Sequence, residues 1–149
     1  MTFNGDSASV SGIGGSTVEN CYYRGNMDIN YTNTWTFQST YLYGISGSNT
    51  YCTGNIKYTT AGVKVYMYPS SGENSYYLDS ASYSSIASSG KVGEPKSSDY
   101  MKSDEFVQVL GTDNWAKDED GINDGYPILK LYQEPESTEE EVEERTIEI

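Results

Sequence analysis

The stretch Gly44-Ile45-Ser46-Gly47-Ser48-Asn49-Thr50-Tyr51-Cys52-Thr53-Gly54-Asn55-Ile56 holds three short motifs in order: Gly-Ile-x-Gly, Asn-x-Tyr and Gly-Asn. The same order stands upstream as Gly12-Ile13-Gly14-Gly15, Asn20-Cys21-Tyr22-Tyr23 and Gly25-Asn26-Met27-Asp28-Ile29. Asn74-Ser75-Tyr76-Tyr77 gives the middle motif a third time. Asn20, Asn49 and Asn74 are 29 and then 25 residues apart, so the period drifts. A repeat of this length is one small unit that cannot bury its own apolar face, whereas stacked units can. The glycines permit sharp turns that a β-carbon forbids. Met27-Asp28-Ile29 and Val63-Lys64-Val65-Tyr66-Met67-Tyr68 alternate as half-buried strands do. The sequence therefore predicts an all-β chain, a short right-handed parallel β-helix (solenoid) with one short C-terminal capping helix. Asn20, Asn49 and Asn74 are expected in one column, where their amides can bond as a ladder. The competing reading is a β-sandwich with coincident Asn-Tyr turns.

Composition agrees with many short strands. Of 149 residues 15 are Tyr, and aromatic side chains suit a pleated surface. The net charge is −13, but residues 133–149 hold eight Glu and one Arg, leaving −6 for residues 1–132. A nucleic-acid binder needs a basic surface to displace counterions, and an anionic membrane needs one as well. Neither partner is expected. No run reaches the roughly 20 apolar residues of a membrane span, and any secretion signal is expected upstream of Met1. Histidine is absent, which removes an imidazole base for Ser or Cys nucleophiles and any His-based zinc site. Cys21 and Cys52 fall one unit apart but two positions out of line, too diagonal for an easy disulfide, and read as small buried hydrophobes.

The motifs carry a family resemblance. Gly44-Ile45-Ser46-Gly47, followed by Asn-x-Tyr and Gly-Asn, resembles the GLUG-type repeats of Gram-positive and gut-bacterial surface proteins. Such repeats also occur in non-catalytic parts of IgA-specific metallopeptidases. Further on, Asn74-Ser75-Tyr76-Tyr77-Leu78, Lys102-Ser103-Asp104-Glu105-Phe106-Val107, Trp115 and Asn123-Asp124-Gly125-Tyr126-Pro127-Ile128-Leu129 resemble the segment that closes such arrays. The likeness covers about residues 10–132. Residues 30–43 and 58–73 match poorly and read as inserted strands or loops. The resemblance implies a secreted, wall-associated setting and a β-helical fold, and no activity. The peptidases' zinc helix needs two His, and this chain has none.

The domain is read as 1–132, with a closing cap over about 97–132 and an acidic linker over 133–149. Ser97 to Leu110 is the helical candidate, capped by Ser97 or Ser98 and stopped at Gly111. Tyr126 to Tyr132 reads as a final strand. The unit is expected to cover the last coil.

Two constellations are candidate sites. Asp118, Asp120, Asn123 and Asp124 crowd a Gly-bent loop whose oxygens suit Ca²⁺, although an EF-hand register puts Leu129 where a Glu is needed. The plainer reading is a hydrogen-bonded acidic turn. Tyr31, Trp35, Tyr41, Tyr43, Tyr66 and Tyr68 are candidates for a ligand-binding aromatic platform, since flat rings with polar tips suit sugars and proteins. The plainer reading is rings stacked on one another. The function expected is a non-catalytic extracellular spacer or adhesin, monomeric within a larger chain, with a host glycan or protein as partner. The alternatives are a carbohydrate-binding module using exposed Tyr and Trp, and a fragment of a polysaccharide-active β-helix enzyme.

Overall fold

The computed structural model describes residues 7–31, 39–60, 64–88 and 92–132. The expected linker 133–149 and Trp35 lie outside these residues. The chain is mostly β, with two short helices. Its strands are β1 Ser7–Glu19, β2 Tyr22–Tyr23, β3 Met27–Tyr31, β4 Ser39–Ser48, β5 Thr50–Cys52, β6 Ile56–Thr60, β7 Lys64–Ser71, β8 Ser75–Leu78 and β9 Glu94–Lys96. Helices α1 Ser98–Met101 and α2 Asp104–Leu110 follow, then β10 Trp115–Ala116, β11 Ile128–Leu129 and a 3₁₀ turn at Lys130–Tyr132.

Three sheets have the orders β1-β4-β7, β2-β5-β8-β9 and β3-β6, and every pairing within them is parallel. The chain visits them in one repeating order, and none closes on itself. The register sets motif on motif: Ile13 opposite Ile45, Tyr22 opposite Tyr51 opposite Tyr76, and Met27 opposite Ile56. A sandwich of antiparallel hairpins has no such pairing, and β10–β11 is the one antiparallel strand pair among the described residues. Residues 39–43 and 64–71, expected as insertions, lie in β4 and β7 and pair in continuous register. The repeat signal failed there because Ser70 stands opposite Ile45, so β7 has no Gly-Ile pair, while the strand alternation persists.

The three asparagines sit at equivalent turns with φ of 51°, 52° and 52°. Asn tolerates this left-handed region better than other β-carbon-bearing residues. The Asn20 amide bonds Ser48 O at 3.0 Å and the Asn49 amide bonds Glu73 O at 3.1 Å. The side-chain ladder is half made: Asn74 Nδ2 donates to Asn49 Oδ1 at 2.7 Å, while Asn20 Oδ1 is buried without a partner. A second rung links Asn55 Nδ2 to Asn26 Oδ1 at 2.9 Å. Glycine is needed at two of the close approaches. A β-carbon on Gly54 would collide with the Gly25 carbonyl, and one on Gly44 would collide with Pro69 O.

Strand alternation divides the apolar residues between two cores. Met27, Leu42, Ile45, Cys52, Ile56, Met67 and Tyr77 are buried together and come from all three sheets. Tyr83, Val92 and Val65 pack around them. Residues 82–88 flank the last pass: Tyr83 bridges Ile56, and Ala87 N–H bonds Met67 O at 2.8 Å. On the other face of the β2-β5-β8 sheet, Tyr51 and Tyr76 are buried with Met101, Phe106, Val107, Leu110, Trp115 and Tyr126. The closing unit is therefore a lateral clamp across all three passes, where a cover for the last coil was expected. The reason lies in the third residue of each Asn-x-Tyr motif: Tyr22, Tyr51 and Tyr76 project away from the inner core and need their own cover.

Two local expectations are also corrected. The 97–110 helix is two helices, because Ser103 Oγ accepts the Phe106 amide at 3.2 Å and starts a new N-cap. Ser97 caps the first, accepting from the Tyr100 amide at 3.3 Å. The last strand is only Ile128–Leu129, since its partner Trp115–Ala116 is two residues long.

The left-handed turns generate a prediction. Asn49→Ala should cost about 1–2 kcal/mol for the backbone alone, and Asn49→Gly, which keeps the φ, should cost less. Urea denaturation of both variants checks the order; equal losses would mean that the side-chain bond to Asn74 is the whole effect.

Candidate functional site

The acidic loop is built around one carboxylate. Asp118 is buried, and its oxygens accept the amides of Ile122 at 2.9 Å, Asn123 at 2.7 Å and Gly125 at 2.9 Å. Burial pushes this carboxyl up, but backbone amides from Gly125, Asn123, Ile122 and Gly121 outweigh it and hold the group below its usual range. Gly121, Asp124 and Gly125 have positive φ, which curls the backbone around the carboxylate. Asn123, 1% exposed, gives Nδ2 to Tyr51 Oη at 2.6 Å and to Pro127 O at 3.0 Å. Its Oδ1 accepts Arg24 Nη1 at 2.6 Å, and Asp124 forms an ion pair with the same guanidinium. Asp120 is exposed at the loop's surface.

Three of the four candidate metal residues, Asp118, Asn123 and Asp124, are thus engaged in separate structural tasks. Among the described residues no group of three or more His, Cys, Asp or Glu converges. What the loop does is pin Arg24, from the first pass, and Tyr51, from the second, to the clamp. Arg24 was not singled out from the sequence; its signal was that a lone cation follows the Tyr22-Tyr23 pair in an acidic chain.

The aromatic residues form ordered columns. Tyr41 stacks on Tyr66 with centroids 5.2 Å apart and planes 14° apart, and Tyr43 stacks on Tyr68 at 5.0 Å and 12°. Both columns lie on the outer face of the β1-β4-β7 sheet, because Leu42 and Met67 between them point into the inner core. The centroid separations match the strand spacing of about 4.8 Å, so the rings stand on edge and face along the sheet. Tyr68 is buried at one end, and Lys64 Nζ lies 4.9 Å from the Tyr66 centroid.

The register sets Ser9 opposite Tyr41 and Ser11 opposite Tyr43. No β1 ring continues either stack there, so the second face of Tyr41 and of Tyr43 looks over an exposed serine. Two residues of strand separate the rings by about 6.6–6.8 Å. The result is a ledge with two tyrosine faces as its wall and two hydroxyls as its floor. Burial and the neighbouring Tyr68 and Tyr41 raise the Tyr43 hydroxyl above its usual pKa, so that hydroxyl stays protonated at neutral pH. Tyr31 belongs to β3 and pairs with Thr60 in a different sheet, so it does not join these four on the β4-β7 face. Ser9 and Ser11 escaped sequence reading because the β1–β4 register was hidden in a stretch taken as an insertion.

Cys21 and Cys52 are free thiols. Cys52 is buried, and burial pushes its thiol up to about 12, so it stays protonated. No protein-family model, curated protein or solved structure matches the chain.

The loop generates a prediction with a definite pH sense. A carboxyl held below its unfolded value stabilises the fold above the unfolded pKa of about 3.9 and loses that contribution as pH falls through the lower folded value. Asp118→Ala should cost about 2 kcal/mol or more at pH 7, since charge-assisted bonds contribute about 1.5–3 kcal/mol each. The gap from wild type should narrow at acid pH, as urea titrations at the two pH values would show. Millimolar Ca²⁺ should leave the melting temperature unchanged, whereas a rise would indicate a site selective for the folded state.

Proposed function

We propose that the chain is a short right-handed parallel β-helix serving as a non-catalytic spacer or adhesion module of an extracellular bacterial surface protein, akin to the GLUG-type repeat regions. The observation that carries this reading is the repeated sheet order, with Gly-Ile on Gly-Ile, Asn-x-Tyr on Asn-x-Tyr and Gly-Asn on Gly-Asn. Parallel strands joined through other sheets of one stack are the pattern of a solenoid, and parallel crossovers are right-handed in nearly all proteins. The complete lack of His supports a non-catalytic role, because nothing supplies an imidazole base. Asp118, the most embedded acid described, is engaged by backbone amides.

A second reading is favoured by the ledge: a carbohydrate-binding module in which Tyr41 and Tyr43 stack on sugar rings and Ser9 and Ser11 bond their hydroxyls. Rings held in place by packing lose little entropy on binding, which suits such contacts. A glycan array probed with wild type and a Tyr41→Ala/Tyr43→Ala variant separates the readings. Binding that falls at least about tenfold in the variant assigns the ledge as a glycan site. No binding by either leaves the spacer reading. Release of reducing ends from any polysaccharide incubated with the protein would overturn both and make the chain an enzyme fragment.

A further inference from the structure

A cleft opens between the β7–β8 turn and the segment leading into β9. It has a volume of about 170 Å³ and is lined by Gly72, Asn74, Ser75, Tyr76, Gly93 and Glu94, with Val92 at its side. Gly72 and Glu94 are exposed at its rim, while Ser75 and Tyr76 at its base are 4% and 8% exposed. We propose that this cleft binds a single neutral sugar ring, with the Ser75 hydroxyl at its base and the Glu94 carboxylate at its rim as the anchoring groups.

The base supplies the first argument. Ser75 Oγ is buried and has no hydrogen-bond partner. A buried hydroxyl without a partner is destabilising, so its persistence at the floor of a cleft points to a partner from outside the chain. Its neighbours are already committed. Asn74 Nδ2 donates to Asn49 Oδ1 and to Val109 O at 2.8 Å, and Asn74 Oδ1 accepts the Tyr76 hydroxyl. Ser75 is the side chain at the base left to meet a ligand. Gly93 keeps the cleft's far wall close: its amide bonds Ser70 O at 2.9 Å, and a β-carbon there would come within 2.7 Å of Ser75 Oγ.

Size and charge select the ligand class. The cleft is smaller than the roughly 300–1,000 Å³ of sites for drug-sized molecules. That suits one small ring. The lining is polar, so an apolar ligand is disfavoured. Glu94 stands at the rim, and among the described residues no Lys or Arg lines the cleft, so the described lining offers an anion no cation of its own. Glu94 is already paired with Lys96 at 3.1 Å, which removes the demand for a second cation. A carboxylate balanced in this way still accepts hydroxyl protons. A neutral ring bearing hydroxyls meets each of these conditions. This site lies apart from the Tyr41–Tyr43 ledge and stands whether or not the ledge binds glycans.

The test is a residue-resolved NMR titration of the whole chain with D-glucose, D-galactose, D-mannose and N-acetyl-D-glucosamine, with phosphate and ethanolamine as comparison ligands. The expected result is saturable shifts of the Ser75, Tyr76 and Gly93 amides with at least one sugar. Ser75→Ala should weaken that sugar at least about tenfold while leaving the melting temperature unchanged or raising it, because it removes a hydroxyl without a partner. Glu94→Gln, at the exposed rim, should weaken it without unfolding the chain. The proposal is overturned if no sugar saturates these amides, if only phosphate or ethanolamine does, or if both variants bind as wild type does. Shifts confined to Tyr41 and Tyr43 would also overturn it and would support the ledge instead.

Discussion

Each pass of the chain hydrogen-bonds to the previous one in parallel, with like motif beside like motif, and the remaining structure depends on that register. A slip of one residue would move Leu42, Ile45 and Met67 to the outer face and Tyr41, Tyr43 and Tyr66 to the inside. The register is fixed at the turns as much as in the strands. Asn20, Asn49 and Asn74 hold one left-handed conformation, and Gly25 and Gly54 let successive backbones come into contact. These residues keep the turns equivalent although segment lengths vary between passes.

The strands are covered on both faces in the sheet that contains β5. Its inner side chains, Tyr23, Cys52 and Tyr77, close the inner core, while Tyr51 and Tyr76 anchor the clamp. Tyr51 is the hub of that contact. It is fully buried, stacks on Tyr22 with centroids 5.3 Å apart, lies against Phe106 and Trp115, and donates its hydroxyl to Pro127 O at 2.5 Å. Asn123 completes the hydroxyl, and Asp118 holds Asn123 in place through its amide. The acidic loop thus acts on the fold through a tyrosine two motifs upstream in the sequence. The clamp leaves the β4-β7 outer face to its tyrosine columns, and it is there that the ledge forms.

Much of the strand plan was legible in the sequence because the motifs that recur are those that meet in register. Gly-Ile, Asn-x-Tyr and Gly-Asn each mark a position where backbone geometry restricts the residue type. What escaped reading lacked such restriction. Residues 39–43 of β4 and all of β7 keep alternation but vary their residues, so they read as inserted strands or loops outside the repeat, although Val63–Tyr68 reads as a strand. The clamp's docking face was missed because Tyr22, Tyr51 and Tyr76 look like their neighbours Tyr23 and Tyr77 until the pleat assigns them to opposite sides. The acidic loop was seen as an oxygen cluster; its role depends on Arg24 and Tyr51, which lie 99 and 72 residues away in sequence from Asn123. Pairings that distant leave no periodic trace.

The central claim is the parallel, motif-on-motif register with the clamp on the outer face of the middle sheet. Interstrand nuclear Overhauser contacts on the isotope-labelled chain test it most directly. The account predicts contacts linking Met27 to Ile56 and Tyr51 to Tyr76 in the parallel pattern, together with ring contacts from Tyr51 to Phe106 and Trp115. Close Hα–Hα contacts between those strands, as in antiparallel pairs, or Tyr51 without contacts to the clamp, would contradict it.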